Sequence, residues 1–281
     1  MKGRGQIRRS GWRLFTWPVL GLGLVWTLFP FYWMITTALK PNDDMYRPEP
    51  LLVPVRITLS HFHKVFFDSH FPEFFRNSAV VAIGTTILSL AVGIFAAYAI
   101  VRLDFRGKKL LARGLIFSYL VPPVLLFIPL FELIFKLNLL NTKGGLILAY
   151  LTFTVPFTTW LLMGYFRTVP VALEEAALVD GCTRLTALFR VTLPLSAPAI
   201  VVTALFSFTL SWNEFLYALT FTSNPASQTV TVGLTSTVAE DVFFWGVMMG
   251  ASFLVAIPPV VLYLLGQRWV VRGLTAGAVK G

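Results

Sequence analysis

Six long apolar stretches, at about residues 14–39, 77–101, 111–135, 144–166, 195–219 and 246–271, divide the chain. Each is longer than the ~18 residues that mark a helix able to cross the ~30 Å hydrocarbon core of a bilayer. They are continuously apolar and do not alternate, which points to helices and away from barrel strands. The pattern predicts an all-α integral membrane fold of six transmembrane helices forming a single domain over 1–281. An N-terminal arm (1–13), a loop at 167–193 and a tail (272–281) lie between or beyond the spans.

Several spans contain proline: Pro18 and Pro30 in the first, Pro122, Pro123 and Pro129 in the third, Pro156 in the fourth, and Pro258 and Pro259 in the sixth. Proline removes a helix hydrogen bond and bends the helix. Kinked spans suit a bundle that encloses a cavity, although proline is frequent in membrane helices of all kinds. Small residues recur every fourth position at Ser89, Gly93 and Ala97, and again at Gly246 and Gly250. Such ridges let helix backbones approach closely, within the chain or against a partner.

Composition supports the membrane reading. Of 281 residues, 56% are hydrophobic, 15% aromatic and only 13% charged, with mean hydropathy +0.75. The net charge of +10 would suit nucleic acid, but the basic residues sit in short loops between apolar runs. With the N-terminus inside, the arm, the loop near 102–113, the loop near 167–193 and the tail taken with Arg268 at the end of the sixth stretch hold 5, 5, 3 and 3 of the 23 Lys and Arg. The outer segments hold Lys40, Arg47, Arg56, Lys64, Arg76, Lys136 and Lys143. This bias predicts both termini on the cytoplasmic side of a cytoplasmic membrane. The basic arm and the apolar run after it read as a retained first helix, because the run far exceeds a signal peptide's h-region. Cys182 is the single cysteine, so no internal disulfide forms.

The inner loop reads Glu174-Glu175-Ala176-Ala177-Leu178-Val179-Asp180-Gly181 and runs on to Val191-Thr192-Leu193-Pro194. Pro170 suits a helix start and Gly181 a helix stop. Residues 183–193 form a second short helix with Leu185, Leu188, Phe189 and Thr192 near one face. An acidic edge beside alanines can dock into a groove of another protein; on shape alone, an amphipathic hairpin lying on the membrane fits equally well.

The spacing resembles the EAA loop of ABC importer permeases, with valine at 191 where isoleucine is usual. Trp212-Asn213-Glu214-Phe215 and the ending Arg272 to Gly281 are similar to maltose-type carbohydrate permeases, in particular the smaller of the two. The similarity covers nearly the whole chain. It implies a type I importer permease in which Glu174, Glu175, Ala176, Ala177, Asp180, Gly181, Leu193 and Pro194 couple to a separate ATPase, with Gly273, Gly277 and Lys280 in the tail. It also implies a second homologous permease, two ATP-binding subunits, an extracytoplasmic solute-binding protein, and a sugar or oligosaccharide as cargo. ATP and Mg would sit on the ATPase subunits, and this chain would bind no cofactor. The chain lacks G-x-x-x-x-G-K-[ST], so it is not expected to hydrolyse ATP. Alternatives are a permease for a glycerol phosphoester or polyamine, and, remotely, a membrane enzyme.

The fifth span has a polar side. Thr203, Ser207, Ser211 and Glu214 share a helix face, with Thr209, Asn213 and Tyr217 beside it. Ser207, Ser211, Trp212, Asn213, Glu214 and Tyr217 are therefore candidates for lining a solute pathway. The competing expectation is that Ser and Thr bond back to their own helix. The resemblance implies that the sugar is held mainly by the other permease, and that the loop near 220–245 probes the binding protein. Glu132 and Lys136 are placed to pair on one helix face. His61, His63 and His70 read as solvated residues and not a metal site, since no cysteine or carboxylate cluster completes one.

Overall fold

The computed structural model describes residues 4–239 and 244–278, with side chains over 16–235 and 244–269. Among the described residues every regular element is helical. The chain divides into two compact units, Met1–Ser69 with Thr237–Val255, and His70–Ser236 with Ala256–Gly281. Lys280 lies outside the described residues; Gly273 and Gly277 fall within the last helix.

The first unit holds α1 (Arg4–Ala38), the short α2 (Asn42–Met45) and α3 (Ser60–Phe67), with the beginning of the last helix. The loop after α1 is fixed by charge pairing. Asp44 is buried and accepts from Arg56 Nη2 at 2.9 Å and Nε at 3.2 Å, while Arg47 approaches at 2.7 Å. The Arg56 hydrogen bond is the main cause holding the Asp44 carboxyl below the usual carboxylate range. Lys40 donates to Leu51 O and lies over the Trp33 ring. His61 departs from the solvated reading: it is 3% exposed, with Nε2 3.0 Å from Lys40 O. Its ring stands where a Cβ at Gly246 would come within 2.5 Å. The small residue there is what lets the imidazole in. His63 and His70 do remain exposed, beside Asp68 and Glu73.

The second unit is built on α4 (Phe71–Arg102) and α7 (Lys143–Phe166). Ser89, Gly93 and Ala97 are buried on α4, and a Cβ at Gly93 would meet Thr158 Cγ2 at 2.5 Å. This part of the small-residue ridge serves a contact within the chain. Between these helices run α5 (Lys108–Leu120) and α6 (Pro123–Lys136). The loop helix α8 (Val171–Val179) leads to α9 (Arg184–Ala187), a π-helical turn (Leu188–Thr192) and α10 (Leu193–Leu195). Then come α11 (Ala197–Trp212), α12 (Leu216–Phe221), α13 (Val230–Ala239) and α14 (Trp245–Ala278).

Four helices are long and apolar enough to cross a membrane, at Thr16–Ala38, Phe71–Arg102, Lys143–Phe166 and Trp245–Trp269. Two further pairs pass that test only together: Lys108–Leu120 with Pro123–Lys136, bent by 99°, and Arg184–Leu195 with Ala197–Trp212, bent by 80°. The described residues thus hold six candidate spans if each bent pair is one span. The third apolar stretch breaks at Val121–Pro122, where consecutive prolines supply no N–H to continue the ladder. The fifth ends at Trp212, short of 219, and restarts at Leu216. The Glu132–Lys136 pair closes at 2.6 Å.

Candidate functional site

The loop helix α8 follows Pro170 and stops on a glycine corner. Gly181 adopts φ +86°, a conformation that favours glycine. Its N–H reaches Leu178 O at 3.1 Å and the Cys182 N–H reaches Ala177 O at 2.9 Å, the two bonds of a Schellman stop. Thr183 then caps α9, accepting from Thr186 N at 3.2 Å. The expected helix, glycine corner and second helix are all present, and a π-helical turn occupies Leu188–Thr192.

The two adjacent glutamates take opposite surroundings. Glu175 is exposed, with Ala176, Asp180 and Gly181 exposed near it and Ala177 half-buried. Glu174 is buried, and three side chains converge on it. Arg102 Nε donates to its Oε1 at 2.7 Å, Thr192 Oγ1 to the same oxygen at 2.8 Å, and the Tyr98 hydroxyl to Oε2 at 3.3 Å. Arg102 Nη2 also reaches Val169 O at 2.6 Å, just before α8. Tyr98 and Arg102 belong to the C-terminal end of α4, and Thr192 to the π-helical turn. Leu188 and Thr192 point inward, while Leu185 and Phe189 are about half exposed (55% and 52%), so that predicted face is split. Leu193 is half-buried and Pro194 exposed.

The polar side of α11 is turned into the chain. Thr203 bonds back to Ala199 O, Thr209 to Leu205 O and Ser211 to Ser207 O, at 2.7–2.9 Å. Ser207 meets Thr158 on α7 at 2.9 Å. Trp212 is buried edge-on to Phe75, with ring centroids 5.3 Å apart. Tyr217 is buried and donates to Pro123 O at 2.8 Å. Glu214 caps α12, accepting from Tyr217 N at 2.9 Å and Ala218 N at 3.1 Å. Of the six pathway candidates, Asn213 is exposed and Glu214 half-buried, both at the break between α11 and α12.

Two asparagines that the sequence did not single out fix the segment after α12. Asn77 is fully buried on α4, and its Nδ2 lies 3.0 Å from both Ala226 O and Gln228 O. Asn141, at φ +56°, accepts through Oδ1 from Ser223 N at 2.6 Å and Asn224 N at 3.2 Å. No local sequence signal marks these roles, since their partners lie some eighty to one hundred and fifty residues away. Among the described residues no cluster of His, Cys, Asp and Glu is arranged to hold a metal.

A profile of the family described as "Binding-protein-dependent transport system inner membrane component" matches residues 89–276. The diacetylchitobiose uptake system permease protein DasC of Streptomyces coelicolor is 39% identical over 96% of this chain and 97% of its own length. The trehalose/maltose transport system permease protein MalG of Thermococcus litoralis is 38% identical over 90% and 92%. Among solved structures, a bacterial ABC transporter involved in the import of the acidic polysaccharide alginate superposes with TM-score 0.80, covering 94% of this chain and 97% of that one. Its sequence identity is 21%, so that likeness shows the fold alone.

Proposed function

From the premise that the chain belongs to the family of binding-protein-dependent transport system inner membrane components, we propose that it forms half of the solute pathway of an ATP-driven importer for a sugar or oligosaccharide. The other half comes from a second, homologous permease. Two ATP-binding subunits hold the ATP and Mg, and an extracytoplasmic binding protein delivers the solute. The chain lies in the cytoplasmic membrane with both termini in the cytoplasm.

The observation that carries this reading is the exposed edge of α8. Glu175, Ala176 and Asp180 stand out from the chain next to a glycine corner, and small alanines beside a carboxylate suit a cleft on an ATPase subunit. The carbohydrate assignment draws on the sugar relatives and on the pathway candidates, which carry hydroxyl, amide and aromatic groups, one carboxylate (Glu214, held by the backbone of α12) and no basic group. Inward-turned hydroxyls on α11 favour the second permease as the main holder of the sugar.

Two measurements test the proposal. Co-purification of the ATPase subunits with Glu175→Arg should fail, and undiminished assembly overturns the docking face. ATP hydrolysis by the assembled complex should rise with a sugar-loaded binding protein, and a rise only with phosphoester or polyamine overturns the cargo class.

A further inference from the structure

We propose that Glu174 is a positioning residue that joins the ATPase-docking helix to the membrane helices, and that its loss uncouples ATP hydrolysis from transport without undocking the ATPase. The inference rests on the reading of the exposed α8 edge as the docking face. It deepens that reading by separating binding from transmission.

The geometry divides the two tasks between neighbouring residues. Glu175 and Ala176 face outward and are available to a partner. Glu174 faces inward, with 6% of its side chain exposed, and its ion-pair partner Arg102 is equally enclosed at 7%. One carboxylate therefore gathers three parts of the chain: the end of α4 through Arg102 and Tyr98, the docking helix itself, and the turn that leads into α11 through Thr192. Arg102 grips the docking segment a second time at Val169 O. Tyr98 also lies 3.2 Å from Arg184 O, at the start of α9. A push on α8 thus has a route to α4 and α11 through charge-assisted hydrogen bonds, the Arg102 bond at 2.7 Å being the shortest to the carboxylate, beside the apolar packing of Leu188 with Ala97, Tyr98 and Ile100. Without the carboxylate, α8 keeps its Schellman stop, its outer face and the Arg102 bond to Val169 O, but loses the ion pair that ties the helix itself to α4 and to Thr192.

The test uses the complete complex, with its second permease, ATPase subunits and binding protein, in liposomes. Glu174→Gln keeps the shape of the side chain and removes its charge. The expected result is normal co-purification of the ATPase subunits and normal basal hydrolysis, with solute carried per ATP reduced about tenfold. A merely structural role would lower the yield of complex and leave that ratio intact. Restoration of the ratio by the exchange Glu174→Arg with Arg102→Glu adds support. Thr192→Val removes one neutral hydroxyl from the same oxygen and should reduce the ratio two- to threefold at normal yield, which decides the matter if Glu174→Gln does not accumulate. A wild-type ratio in Glu174→Gln, or in Thr192→Val where only that variant assembles, overturns the proposal. So does loss of ATPase binding by Glu174→Gln, which would place the residue in the docking face. Retained ATPase binding by Glu175→Arg counts instead against the docking reading itself.

Discussion

Gly93 offers a stringent test of the helix packing. An alanine methyl there would stand 2.5 Å from Thr158 Cγ2, 3.1 Å from Thr158 Cβ and 3.3 Å from Thr159 N. The first distance is about 1 Å inside the ~3.5 Å at which two carbons meet without repulsion. Thr158 is not at liberty to turn, because its hydroxyl sits 2.9 Å from that of Ser207 on α11. Overpacking of this kind costs about 1–3 kcal/mol, and loss of the hydroxyl pair adds about 1 kcal/mol. Against this, Gly→Ala inside a helix gains at most about 1 kcal/mol. The balance is a destabilisation of about 1–3 kcal/mol. Thr158→Ser deletes the offending Cγ2 and keeps the hydroxyl, so the double variant should recover more than half of the loss. Denaturant unfolding in mixed micelles, run on wild type, both single variants and the double, gives the coupling energy. A Gly93→Ala chain as stable as wild type, or a double variant whose loss equals the sum of the singles, refutes the packing argument.

Three other outcomes are expected. Asn77→Ala strips the carbonyls of Ala226 and Gln228 of their buried donor, costing about 1–3 kcal/mol, and hydrogen exchange over residues 222–229 should quicken; unchanged protection would show that Asn141 alone holds the segment. Trp212→Ala should lower stability by about 3–5 kcal/mol, as for other buried tryptophans, with cargo selectivity unchanged in the protein that folds; altered selectivity at full stability would return Trp212 to the pathway. Burial is the chief cause that holds His61 below its ordinary 6.5, with the neighbouring Lys64 adding to the shift and the bond to Lys40 O opposing it. The folded chain therefore favours the neutral ring: its contribution is complete above pH 6.5 and drains as pH falls from there towards the lowered folded value. His61→Gln keeps a donor and cannot titrate, so the slope of melting temperature between pH 7 and 5 should flatten, and an unaltered slope removes His61 as its cause.

Hydropathy made α1, α4, α7 and α14 legible because each is one unbroken apolar helix. It was blind to direction, and therefore to the bends at Val121–Pro122 and Ser196. The cue for the first bend was present in Pro122-Pro123, whose missing N–H groups leave the ladder unsupported. Glu214 shows a different limit. An acid within an apolar run invites a cavity, yet its carboxylate is held by two backbone N–H groups at the start of α12, because the helix stops at Trp212. The spacing of Ser89, Gly93 and Ala97 announced close packing but could not say against what. The burial of His61 was illegible because it depends on Gly246, about two thirds of the chain length away in sequence.

The pair Glu174-Glu175 carries the deepest distinction between letters and structure. Successive helix positions are turned about 100° from each other, so a single step along α8 separates an enclosed carboxylate from an exposed one. Enclosing Glu174 with Arg102 is a weak way to gain stability, since a well-packed apolar pair often does as well. What the ion pair adds is register: a carboxylate accepting from Arg102, Thr192 and Tyr98 permits one placement of α8, where an apolar contact would tolerate sliding. For a helix that passes on a movement, as proposed for α8, that single placement matters more than a gain in stability. On the proposed reading the exposed Glu175 needs none of it, because the ATPase subunit would supply the geometry on docking.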